Sequence, residues 1–311
     1  MAVGILGVTT AALLLGIIPS IQKQLLLNGI SQYSMLLFTS ITIFVFNLFM
    51  VIVKKHPIRA SRKQILQCLA MALLGQMLTG IFLTASYMYI SVAMATMINF
   101  LYPSIVCVIM AVGARKKLTS QQVAAIVFSI TGMVFLTGAG GDISFTGILF
   151  ALVSAFTYSG YLICGEVGPA NDLPVNVKLL YISAVSSTCY AVLCTATGTF
   201  TVPHGAVSWL MLIGGSGMFS ALGFFLMMYG IAKLGATTAS FLSVLEPVVS
   251  VVFGTLWFHD PVTGSTVVGG MLLLISMLLA TIKQTDQSHI SGKLHHLKLL
   301  GDSPPRNHCN T

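Results

Sequence analysis

Ten stretches of almost unbroken apolar sequence dominate this chain, each long enough to cross a lipid bilayer. They run over residues 3–26, 33–53, 65–89, 92–113, 120–138, 146–164, 178–197, 207–229, 236–257 and 263–282. A spanning helix takes about 20 such residues. Runs such as Ile105–Val112 and Met271–Ile282 lack the apolar–polar alternation of a membrane β-barrel. Only 7% of the 311 residues are charged, far too few to solvate a folded surface in water. The composition therefore excludes a soluble globular enzyme and a disordered chain, and predicts an all-α polytopic membrane protein with ten transmembrane helices in the lipid bilayer.

The net charge of +8 does not point to nucleic acid, because the basic residues sit in short loops and in the C-terminal tail. With the N-terminus placed inside, fourteen of the fifteen Lys and Arg residues fall on the inside, and only Lys23 lies near the outside. That asymmetry predicts cytoplasmic N- and C-termini and an even number of spans in an inner (cytoplasmic) membrane. Met1–Ile18 has no basic leader region and reads as the first span rather than a signal peptide. Residues 284–311 are polar, contain Pro304-Pro305, and read as a flexible cytoplasmic tail.

Shifting the second half back by 144 residues places Thr96–Pro103 on Ser240–Pro247, Ala95 on Ala239, Thr119 on Thr263 and Met133 on Met277. The chain thus reads as a five-helix repeat in residues 1–141 followed by a second in 142–283. Five is odd, so the second copy enters the membrane inverted. The charges agree: the fourth span ends at Arg115–Lys117, whereas its counterpart ends at His259-Asp260. Inverted repeats place a substrate site near the midplane, between the copies.

Two segments carry a family resemblance. One runs from Ala93 to Gly138; the other, from Leu234 to Leu279, holds the Leu245-Glu246-Pro247-Val248 run and Gly269-Gly270. Together with Lys23 late in the first helix, they resemble the drug/metabolite transporter superfamily in its ten-helix EamA-like branch. Lys117, Asp260 and Thr39 depart from that pattern. The resemblance implies transport of small organic metabolites and leaves the cargo open. Amino acids or drug-like compounds, exported, are the best match within it.

Polar residues inside apolar spans are the candidate site. A charged Glu246 near mid-span costs about 2.5–3.5 kcal/mol on insertion scales, so it should face a cavity or a partner, and it would suit coupling to protons. Ser240, Ser243 and Glu246 share one helix face by their three-residue spacing. Thr96, Asn99 and Tyr102 form the equivalent stripe on the fourth span. A pseudo-two-fold axis would bring both stripes to one central volume, although Ser, Thr and Asn also join membrane helices directly. Pro103 and Pro247 should bend their helices. Gln76 and Tyr158 are further candidates for lining, and Lys23 could meet an anionic group or snorkel to the interface.

No enzyme is indicated. Gly138–Asp142 lacks the Lys-Ser/Thr of a phosphate loop, and the tail histidines have no metal-ligand spacing. No cofactor or metal is expected. The expectation is a monomeric secondary transporter working by alternating access on a small-molecule substrate. The alternative is a passive channel or facilitator with the same architecture.

Overall fold

The computed structural model describes residues 2–113, 120–137, 144–243, 245–258 and most of 263–279. The Arg115–Lys117 loop, Gly138–Asp142, His259-Asp260 and the C-terminal tail lie outside the described residues. Helix α1 (Ala2–Leu27) is followed by α2 (Gln32–Val53), α3 (Arg62–Ser86), α4 (Val92–Asn99), α5 (Tyr102–Gly113) and α6 (Ser120–Thr137). The second half holds α7 (Phe145–Glu166), α8 (Val175–Thr197), α9 (Gly205–Leu234), α10 (Ala236–Leu242), α11 (Leu245–Phe258) and α12 (Val267–Ser276). Seven of these segments are long and apolar enough to cross a membrane, with α4 and α5 counted as one. Three shorter apolar helices lie within α6, α11 and α12.

Local sequence sets the helix starts. Ser31, Ser61, Ser91 and Ser144 each cap a helix by accepting from a backbone N–H three residues on, which satisfies a donor that would otherwise be orphaned at the edge of the bilayer. At Ser61 the cap is reciprocal, with Gln64 accepting from the Ser61 N–H. Gly198 ends α8 in the left-handed conformation at φ 62°, a position that favours glycine.

The packing is the reverse of a soluble protein's. Leu6, Leu210 and Leu256 are 70–73% exposed, as residues facing lipid should be. Ser154, Ser159, Ser183 and Ser186 are fully buried. Each donates its hydroxyl to a carbonyl of the preceding turn, which keeps it satisfied away from water.

Helix contacts repeat across the two halves. Helix α1 packs on α9 and α11, and its counterpart α7 packs on α3, α4 and α5, while α2 packs on its own counterpart α8. The molecule therefore contains two helix groups, α1/α9/α11 and α7/α3/α4–α5, which meet where α11 touches α4.

The fourth and ninth spans differ from the bent helices that their prolines imply, because both are broken. Helix α4 stops at Asn99 and α5 restarts at Tyr102; α10 stops at Leu242 and α11 restarts at Leu245. Pro103 and Pro247 lie in the first turn of the restarted helix, where a missing N–H costs no hydrogen bond. The third and eighth spans carry a feature with no sequence signal. Ala72–Leu78 in α3 and Leu210–Met218 in α9 are π-helical.

Candidate functional site

Between the two groups lies a cavity of about 790 Å³, its mouth included. Helix α1 contributes Pro19 and Gln22, α2 Thr39 and Ser40, and α3 the stretch from Gly75 to Tyr87. Asn99, Tyr158, Tyr190, Ser220, Phe224 and Glu246 complete the polar and aromatic wall. Gln22, Thr84 and Tyr87 place it toward the end of the molecule bearing the 28–31 and 87–91 turns. Its lining rings Tyr158 and Phe224 belong to a chain of aromatic contacts that continues behind the wall. Tyr102 meets Tyr158 edge-on at 4.8 Å, Tyr158 stacks on Tyr161 at 5.8 Å, and Tyr161 meets Phe224 at 6.4 Å.

Most polar groups on the wall are satisfied from within the protein. Ser216, in the α9 π-segment, meets the Thr39 hydroxyl at 2.9 Å and accepts from Gln22 Nε2 at 3.4 Å. Asn99 Oδ1 accepts from Ser154 at 2.9 Å, and the Thr79 and Thr157 hydroxyls lie 2.7 Å apart. Tyr190 donates to the Gln76 carbonyl at 2.5 Å and Thr79 donates to the Leu74 carbonyl at 2.8 Å. These two bonds take up carbonyls within and beside the π-segment of α3. Among the described residues, three lining side chains are not satisfied: Gln76, Glu246 and Tyr87. Gln76 is 7% exposed, and neither its Nε2 nor its Oε1 has a hydrogen-bond partner. Glu246 Oε2 is sealed from solvent and likewise has none. Each such group costs about 1–3 kcal/mol, and a charged one more. The Tyr87 hydroxyl lies beside Thr96 and Glu246 without forming a full hydrogen bond.

The structure distributes the sequence-derived residues between lining and joinery. Asn99, Glu246, Gln76 and Tyr158 line the cavity. Tyr102 and Ser243, from opposite stripes, bond each other at 2.5 Å. Thr96 accepts from Ser250 at 3.0 Å, and the Ser240 carbonyl accepts from Ser243 at 2.8 Å. The Tyr102–Ser243 and Thr96–Ser250 bonds join the two broken helices, and Tyr102, Ser243, Thr96 and Ser240 are not among those lining the cavity. Lys23 is also outside it, its Nζ resting 5.1 Å over the Phe258 ring. We expect Tyr102→Phe to lower stability by about 0.6–1.7 kcal/mol, the range for one bond between membrane helices. Denaturation in detergent checks this, and no change would mean that Ser243 finds another partner.

The opposite end of the molecule is latched. Gln67 donates to the Cys164 and Val167 carbonyls at 2.5 and 2.8 Å and accepts from Ala170 N at 2.7 Å. Glu166 Oε2 accepts from Ala236 N at 3.0 Å, at the start of α10, where a helix favours negative charge. Lys178 donates to Asn171 Oδ1 at 2.9 Å, and Asn171 in turn donates to the Glu166 carbonyl. Gly168 (φ 117°) makes the turn, and a Cβ there would lie 2.6 Å from Gln67 Oε1. Sequence reading missed Gln67 because it looks like any polar residue near a helix end. Gln22 was legible as a polar residue in a span, but Lys23 beside it drew the attention.

A polytopic helical membrane protein with an internal polar cavity, flanked by paired broken helices, belongs to the class of membrane transporters. The sequence profile of the EamA-like transporter family matches residues 2–138 and again 145–282, and the chain belongs to that family. It is similar to an uncharacterized transporter of Archaeoglobus fulgidus, 23% identical over 227 residues, 73% of this chain and 81% of that protein. It is also similar to the uncharacterized transporter YvbV of Bacillus subtilis, 24% identical over 207 residues, 64% of this chain and 66% of that one. A solved crystal structure, described only as that of a protein, shares the fold with TM-score 0.67 at 17% identity. It covers 90% of this chain and 98% of the other.

Proposed function

We propose that this chain is a secondary active transporter of small organic metabolites, working by alternating access in the cytoplasmic membrane. The observation that carries the reading is a polar cavity between two equivalent helix groups, placed toward one end of the molecule while the other end is latched. With both termini cytoplasmic, the cavity lies toward the outer face, and the contact of Glu166 in α7 with the Ala236 N–H at the start of α10 closes the inner face between the two groups. Rocking of one group against the other would release the latch and bring the site to the inner side. Export of amino acids or drug-like molecules, with protons taken up and released at Glu246, completes the proposal. The site lies within one chain, which supports a working monomer.

Counterflow in proteoliposomes tests it. Labelled substrate should accumulate transiently against saturating unlabelled substrate inside, with a rate that saturates. A flux linear in concentration, without counterflow, would mean a channel. The latch gives a second expectation. Glu166→Ala removes the carboxylate that caps α10, a contact of about 1 kcal/mol, so the inner end should open more often. Cysteine labelling at the 167–174 turn would then quicken severalfold. Unchanged labelling would mean that the latch is not a gate.

A further inference from the structure

The two π-helical segments occupy equivalent spans but end differently. In α9 the polar group of the segment, Ser216, is taken up by Thr39 and Gln22. In α3 the polar side chain of the segment, Gln76, reaches the same cavity with both amide atoms free. Its backbone is not free to adjust, because Tyr190 holds the Gln76 and Met77 carbonyls and Thr79 holds that of Leu74. A Cβ on the preceding Gly75 would overlap the Tyr161 ring, so this stretch of α3 is also pressed against α7. The backbone that presents the amide is therefore held in place, and the amide itself is unused. Glu246 Oε2 and the neighbouring Tyr87 hydroxyl are the other unpartnered lining atoms among the described residues, Glu246 on a helix restarted just before it.

Unused groups of this kind state what a ligand must bring. A primary amide offers donors on one side and an acceptor on the other, so its full partner is a group with a donor and an acceptor side by side. A carboxylate brings acceptors alone and would leave Gln76 Oε1 unmatched. An apolar group would leave both atoms unmatched. Glu246, when ionised, only accepts, and its strongest partner is a cationic N–H. Among the described residues no Lys, Arg or His lines the cavity, so none of them offers that cation.

We propose that the cavity selects small organic cations that carry an amide-type donor–acceptor edge, the edge pairing with Gln76 and the ammonium with Glu246. The substrate is thus a cation bearing a primary amide, rather than a free amino acid whose carboxylate would meet Gln76. This rests on the cavity being a transporter's substrate site.

A matched set of four probes tests it on the purified full chain: ε-aminocaproamide, ε-aminocaproate, hexylamine and hexanamide. Binding is read by titration calorimetry and saturation-transfer NMR. ε-Aminocaproamide should bind about tenfold more tightly than hexylamine, which lacks the edge, and more tightly still than hexanamide, which lacks the charge. Gln76→Leu should bring ε-aminocaproamide down to the hexylamine level and leave hexylamine unchanged. Glu246→Gln should erase the advantage of both amines over hexanamide. Equal binding of ε-aminocaproamide and hexylamine, tighter binding of ε-aminocaproate, or no binding by any probe overturns the proposal, and these comparisons need no variant. Counterflow separates this from the transport reading. Bound ε-aminocaproamide that never exchanges would keep the selectivity and sink transport. Counterflow of free amino acids with no binding of the amide would do the opposite.

Discussion

Glu246→Gln is expected to reduce counterflow by about tenfold to a hundredfold, the loss of one charge-assisted contact, and to flatten its dependence on pH. Glutamine has the same length and shape, so the packing of α11 on α1 and α4 should survive. The variant should melt no lower than the parent, since it removes a buried carboxyl oxygen that has no partner. The pH argument follows from what faces the carboxyl. Tyr87, Tyr102 and Tyr158 lie around it, and phenols do not ordinarily ionise near neutrality. Among the described residues no other Asp, Glu, His, Lys or Arg lines the cavity. Glu246 is thus the lining group whose charge can change in the working range. A variant that keeps both the rate and the pH profile would remove Glu246 from the cycle.

The second large effect should come from Gly75→Val. A Cβ at Gly75 would stand 2.2 Å from Cδ2 of Tyr161, well inside van der Waals contact. Tyr161 is fully buried between Tyr158 and Phe224 and cannot swing aside. Overpacking of this kind costs about 1–3 kcal/mol, and the displaced turn is the one that presents Gln76. Lower thermal stability and loss of transport should therefore appear together. Adding Tyr161→Ala makes room for the new side chain, and recovery of stability in the double variant would locate the clash. Loss of stability that the second change does not relieve would show that the strain lies elsewhere.

Much of the fold was legible because desolvation is severe in a bilayer. Apolar runs of fixed length mark the spans, and a polar residue inside one must have a reason to be there. That logic led to Glu246, Asn99, Gln76 and Tyr158, all of which line the cavity. It could not say which polar residues face a cavity and which face each other. The three-residue stripes assumed continuous helices. The breaks after Asn99 and after Leu242 interrupt the stripes, and Tyr102 and Ser243 bond each other instead. The π-segments left no trace either, since Ala72–Leu78 and Leu210–Met218 are as apolar as an α-helix would be. The latch was hidden for another reason. Gln67 works through backbone carbonyls about 100 residues away in sequence, which no local pattern encodes.

Gly16 carries a consequence for how occupancy is sensed. A Cβ there would meet the Glu246 carbonyl at 2.6 Å and Val249 at 2.8 Å, so α1 and α11 are clasped too tightly to slide. The Glu246 carboxyl therefore travels with the whole α1 group. Gln76, pressed onto Tyr161 through Gly75, travels with α7. A molecule held by both side chains, as proposed above, would act as a caliper between the two groups, which the Tyr102–Ser243 and Thr96–Ser250 bonds already join; a ligand too short or too long would reach one jaw only.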